Sequence, residues 1–219
     1  MSPRVFRVLI GLSGVAGVCM LGTSFTINDG PPPDATTAQL VAFARQYFQE
    51  IVWGAWLQAV GTVLTVVFAF GVVYVAGAAN RFVGWLTLFG GAILTTVSLV
   101  EIVFYFGALF PDPETMVLIS PAFGHATQHL YFIVAAPALF LPLGAVIVGT
   151  RVLPRAFGYL ALLLGALFFL AGIVSLTRLI VPSGEDALAG IQALWWLAAA
   201  ITLIVQAGKT AVDKSSVVG

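Results

Sequence analysis

Apolar residues run along this chain in stretches of about 20, separated by short polar turns, and that spacing predicts six membrane-crossing helices. The first covers residues 5–27, behind Arg4 and Arg7. The run Asn28-Asp29-Gly30-Pro31-Pro32-Pro33-Asp34 breaks it, and Asp34, Thr36 or Thr37 can cap the next helix. The second element reads as helical from 36 to 79, too long for one crossing. Its first half carries Gln39, Arg45, Gln46, Gln49 and Glu50 among apolar residues. That half is expected to lie outside the hydrocarbon as an amphipathic extension of helix two. Asn80-Arg81 turns the chain into the third helix, 82–110, which Pro111-Asp112-Pro113-Glu114 ends. The fourth, 120–150, contains Pro137 and Pro142, where kinks are expected. A basic turn from Arg151 to Arg155 precedes the fifth helix, 156–181. Pro182 to Asp186 leads to the sixth, 187–207, and a polar tail.

Composition agrees with this pattern and narrows it. Of 219 residues, 60% are hydrophobic and only 8% charged, against about 25% charged in a soluble domain. The expected fold is therefore an all-α membrane protein, a single transmembrane domain over residues 1–219. The 23 glycines suit close packing between membrane helices. A net charge of zero offers no basic footprint, so no nucleic-acid partner is expected. Cys19 is the lone cysteine, which excludes an intramolecular disulfide and a cysteine-rich metal centre. It reads as a small apolar core residue, and the bulk of Val18 before it argues against lipidation. The first apolar stretch is longer than the core of a signal peptide and lacks an Ala-x-Ala site, so it is expected to be retained.

The charges sort by side. Arg4, Arg7, Arg81, Arg151, Arg155, Lys209 and Lys214 fall on one face of the membrane under a six-helix reading, and Asp29, Asp34, Asp112, Glu114, Glu185 and Asp186 on the other. The basic face is expected to be cytoplasmic, which places both termini there and the protein in the cytoplasmic (inner) membrane. There is also an internal echo. Residues from Arg81 and from Arg155 share the pattern Arg-x-x-Gly-aromatic-Leu-x-Leu-x-x-Gly-Ala. It fits a parallel duplication of helices two–three and four–five, or the recurrence of Arg, Gly and an aromatic at any cytoplasmic interface.

The stretch Pro154-Arg155-Ala156-Phe157-Gly158-Tyr159 through Gly165, and the acidic Pro-rich loop followed by an amphipathic helix and Gly54-Ala55-Trp56-Leu57-Gln58, resemble a broad group of bacterial multi-pass membrane proteins of unknown function. The resemblance implies a helical inner-membrane protein. It brings no active residues with it.

Polar residues within apolar helices are where chemistry is expected. Measured from the basic turns at 1.5 Å per residue, Gln58, Glu101, His125, His129 and Arg178 all lie about 30 Å or more away. They therefore gather near the outer boundary from four helices. This level implies a polar pocket open to the outside, rimmed by Trp53, Trp56, Tyr105, Tyr131, Trp195 and Trp196. The competing reading is a hydrated aromatic belt. Glu101 is expected to pair with Arg178 or a histidine. His125 and His129, four apart, share a helix face. With Glu101 they form a candidate metal set, the less favoured reading because no Glu follows the first His as it does in His-Glu-x-x-His. Haem held by histidines of two helices is excluded, since both belong to one, and no cofactor is expected. Gly54, Gln58, Gly61, Thr62 and Thr65 mark either a packing seam or a path inward. The favoured function is binding or transport of a small apolar or amphiphilic molecule. The alternatives are an intramembrane enzyme acting on a lipid or isoprenoid with Glu101 and His129 as acid and base, and a structural subunit. Expected partners are the bilayer, such a ligand, and a second copy or complex partner.

Overall fold

The computed structural model describes residues 2–27, 35–107, 124, 126–176 and 183–215. Among them are helices and turns and no strand. α1 spans Pro3–Ile27, α2 Thr37–Gln46, α3 Phe48–Val75, α4 Phe82–Gly107, α5 Ala126–Thr150, α6 Arg155–Leu176 and α7 Ser183–Ser215. All but α2 contain a stretch long and apolar enough to cross a bilayer, six such helices among the described residues, so this is a multi-pass integral membrane protein.

Successive spans pack side by side. The packing order is α1, α3, α4, α5, α6, α7, and α7 returns to α1. The spans therefore form a ring in chain order. The seam between α6 and α7 is the thinnest. Arg4, Arg7, Arg81, Arg151 and Arg155 mark one end of the ring, here the basic end.

Aromatic side chains fill the axis. Phe68, Phe140, Phe168, Trp195 and Trp196 belong to one buried cluster. The Phe140 ring lies 5.3 Å from that of Trp195, 5.2 Å from Trp196 and 6.2 Å from Phe168. The Trp195 indole N–H donates to the Phe157 carbonyl at 3.0 Å, which ties α7 to the first turn of α6. Trp195 and Trp196 thus stand in the core, where an interfacial rim position is expected from the sequence.

The second element differs from its expected outline in two places. Thr36 is its cap, in a capping box with Gln39. The helix then breaks at Tyr47 (φ −105°, ψ 27°), which separates α2 from α3. It ends at Val75 rather than 79, because Gly77 adopts φ +63° and the Ala78 N–H turns back to the Val73 carbonyl at 3.0 Å. The fourth span carries a π-helical turn over Tyr131–Ala135, just before Pro137. Proline has no N–H to give the carbonyl four residues back and its ring crowds that carbonyl. The wider turn, in which the Ala136 N–H reaches the Tyr131 carbonyl, makes room for it. Cys19 is exposed, not buried as expected. The inward face of α1 belongs to Ile10, Gly11, Gly14, Gly17 and Ser24.

Small residues set the closest seam. A Cβ on Gly17 would sit 2.8 Å from the Gly61 carbonyl, and one on Gly61 2.9 Å from the Gly17 carbonyl. The Gly54 to Thr65 stripe is thus packed against neighbouring helices, and beyond Thr65 the axis is closed by Phe68, Phe140 and Trp196.

The two turns at the basic end between α3 and α4 and between α5 and α6 share a left-handed residue. One is Gly77; the other is Arg151, at φ +57°. That conformation costs an L-residue about 1–2 kcal/mol. Arg151→Gly is therefore expected to stabilise the protein by up to about 1 kcal/mol after the extra chain entropy of glycine. A raised thermal midpoint in detergent is the readout.

Candidate functional site

Hydrogen bonds between helices concentrate in the half of the ring away from the basic end. Gln58 Nε2–H donates to Glu101 Oε2 at 2.9 Å, joining α3 to α4. One turn deeper, the Thr62 and Ser98 hydroxyls meet at 2.9 Å. Ser24 Oγ–H donates to the Gly54 carbonyl at 2.7 Å between α1 and α3. Tyr131 O–H donates to Gln192 Oε1 at 2.6 Å, joining α5 to α7. His129 Nδ1 and Ser175 Oγ lie 3.0 Å apart, joining α5 to α6. Polar groups in a bilayer must find internal partners. Among the described residues every buried side-chain nitrogen or oxygen has one.

The expected site residues therefore separate. Gln58, Glu101, His129 and Tyr131 stand in that half of the bundle, on three helices. Glu101 has Gln58 as a partner. His129 is held by Ser175 instead of Glu101. Trp53 and Trp56 pack on each other at 5.9 Å and face outward from α3, 56% and 46% exposed. Trp195 is buried at the axis. His125, Arg178 and the side chain of Tyr105 lie outside the described residues. Among the described residues no three of His, Cys, Asp and Glu gather as a metal would require.

Ser175 and Gln192 are two polar partners to which the sequence pattern does not point. Each is an isolated polar residue within an apolar stretch of its helix, and only the face it shares with its neighbours gives it meaning. Ser175 lies seven residues, two turns, after the buried Phe168, and Gln192 lies four after Leu188.

Between α6 and α7 the thin seam opens into a groove of about 370 Å³. Its walls are Leu167, Leu170, Ala171 and Val174 of α6 and Ala187, Leu188 and Ile191 of α7. All of these side chains are apolar. Tyr131 stacks edge-on against Phe168 of α6 at 5.7 Å.

No family model, curated protein or solved structure matches this chain.

Proposed function

We propose that this membrane protein binds a small amphiphilic molecule taken from the surrounding bilayer, in the half of the ring away from the basic end. The groove between α6 and α7 carries the reading. It is apolar and opens sideways within the spans. An apolar chain fits its walls. The closed axis beyond Thr65 favours binding over passage across the membrane. Acid–base chemistry by Glu101 and His129 draws less support, since each holds a different partner.

The test is to purify the full chain in mild detergent and identify co-purifying amphiphiles by mass spectrometry. Ala171→Trp and Ala187→Trp, one on each wall, are each expected to lower their recovery at least about tenfold, an effect of about 1.4 kcal/mol. Unchanged recovery in two folded variants would sink the reading.

The bundle also reads as a tandem copy of one hairpin, α3–α4 and α5–α6. The left-handed residues Gly77 and Arg151 are 74 residues apart. The same step relates Arg81 to Arg155, Gly84 to Gly158, Gly91 to Gly165 and Glu101 to Ser175. Gly91 faces Phe70 and Val66 in the first hairpin, and Gly165 faces Leu141 in the second. The last pair of positions carries a hydrogen bond to the preceding helix in both copies. The site is then one hairpin seam elaborated twice, with the groove attached to the second copy.

The arginine turns support a cytoplasmic basic end. A cysteine at Asn80 is expected to resist an impermeant external thiol reagent in intact cells, and one at Ser183 to react, each in a Cys19→Ala background. The reverse labelling would invert the orientation.

A further inference from the structure

We infer that the basic end of the bundle carries two matching sites for anionic phospholipids, one where α4 begins and one where α6 begins.

Each site is a stripe of three outward side chains. At α4 it is Arg81, Trp85 and Phe89, and at α6 it is Arg155, Tyr159 and Leu163. Members four apart stand one above the other on a helix. Both arginines are exposed. Trp85 and Tyr159 are 61% and 58% exposed, Phe89 and Leu163 64% and 53%. The two stripes thus agree in chemistry, order and exposure at the same 74-residue step that relates the glycines. Those glycines turn the stripes outward. A Cβ on Gly84 would strike the Ala78 carbonyl, and one on Gly158 would lie 2.9 Å from the Gly144 carbonyl. Each helix is therefore pressed inward through the residue just before its aromatic.

The order of the stripe is that of a phospholipid. At 1.5 Å per residue the aromatic lies about 6 Å deeper than the arginine, and the apolar residue about 12 Å deeper. Phosphate, glycerol ester and hydrocarbon follow one another in the same direction. Aromatic rings at this level suit any lipid, and the charges decide which one. The turns 76–81 and 151–155 hold Arg81, Arg151 and Arg155 and no Asp or Glu. Among the described residues none of these three guanidiniums has a hydrogen bond or ion pair. The Trp85 indole N–H and the Tyr159 hydroxyl have no hydrogen-bond partner there either. A guanidinium is permanently charged and presents a planar fork of donors that fits a phosphate. α5 packs on both α4 and α6 and ends at Arg151, which adds a third charge to the same arc. A zwitterionic head would set its own cation against these groups. A head whose only charge is its phosphate does not.

The experiment uses the full chain in nanodiscs of equal parts phosphatidylglycerol and phosphatidylcholine with identical acyl chains, followed by native mass spectrometry. Two phosphatidylglycerol molecules are expected to stay on each chain, favoured over phosphatidylcholine at least about fivefold per site, the effect of one arginine at an anionic surface. Arg81→Gln and Arg155→Gln are each expected to remove one of the two, and the double variant to lose the preference. Arg45→Gln removes the same unit charge from α2, at the other end, and is expected to leave the preference as it is. Trp85→Leu and Tyr159→Leu are expected to weaken retention of both lipids alike. A thermal midpoint of each variant in phosphatidylcholine alone, unchanged from the parent, shows that the bundle is intact. Equal retention of the two lipids by the parent chain overturns the inference. So does a preference that survives in the double variant, or one that falls as far in Arg45→Gln. Displacement of the lipid by excess glycerophosphoglycerol, the soluble head without chains, overturns the lipid assignment in favour of a bare phosphate site.

Discussion

Gly90→Ala is expected to cost about 3 kcal/mol, close to the upper range for overpacking a tight contact. At this point α4 crosses α5, and a Cβ on Gly90 would fall inside contact distance of the Ala138 carbonyl carbon and oxygen. The obstacle is backbone, so no side-chain rotamer can relieve it. The helices must separate. Lipid cannot make good the packing that separation destroys, because membrane helices associate through close packing rather than through escape from water. A thermal or denaturant midpoint in detergent measures the effect. Gly149→Ala is the matched control, since a Cβ there meets nothing within 4 Å. Comparable destabilisation in both variants would show that α4 and α5 cross at a looser distance.

Phe140→Ala is expected to cost about 3–5 kcal/mol, the usual effect of emptying an aromatic core position. Phe140 has no exposed surface, and its ring meets those of Phe168, Trp195 and Trp196. Its neighbours come from different helices, so no single backbone shift can fill the void. Phe89→Ala makes the contrast. Phe89 is 64% exposed on the outer face of α4, where lipid replaces the missing ring. A near-neutral Phe89→Ala beside a strongly destabilised Phe140→Ala is the expected pair of results. Equal effects would remove Phe140 from the centre of the ring.

Much of this arrangement is legible in the amino-acid order. Six spans follow from apolar runs, which a bilayer demands without regard to tertiary detail. The Gly17 and Gly61 approach follows from small residues at helix-facing positions. The polar level of Gln58, Glu101 and His129 follows from counting residues from the arginine turns. Other features depend on partners that no single segment specifies. The break at Tyr47 sits in Gln46-Tyr47-Phe48-Gln49, which reads as uninterrupted helix. Trp195 and Trp196 carry the amphipathic rings of an interfacial belt, and only the neighbouring phenylalanines pull them inward. Ser175 and Gln192 acquire a role when α5 is set against α6 and brought within reach of α7. Depth is a property of one helix and can be counted. Which side of a helix meets which neighbour is a property of the whole ring.

The ring in chain order has a consequence for how the protein is made. Each span packs first on the one synthesised before it, so α1, α3, α4, α5 and α6 can join one at a time as they enter the bilayer. α7 alone has to meet both its predecessor and the first helix. It also brings Trp195 and Trp196, which occupy the space that Phe68 and Phe140 leave open. Until it arrives the bundle is an open arc with a hollow facing lipid. Closure is then a single late step, and the lightly packed α6–α7 seam marks where the arc was last joined.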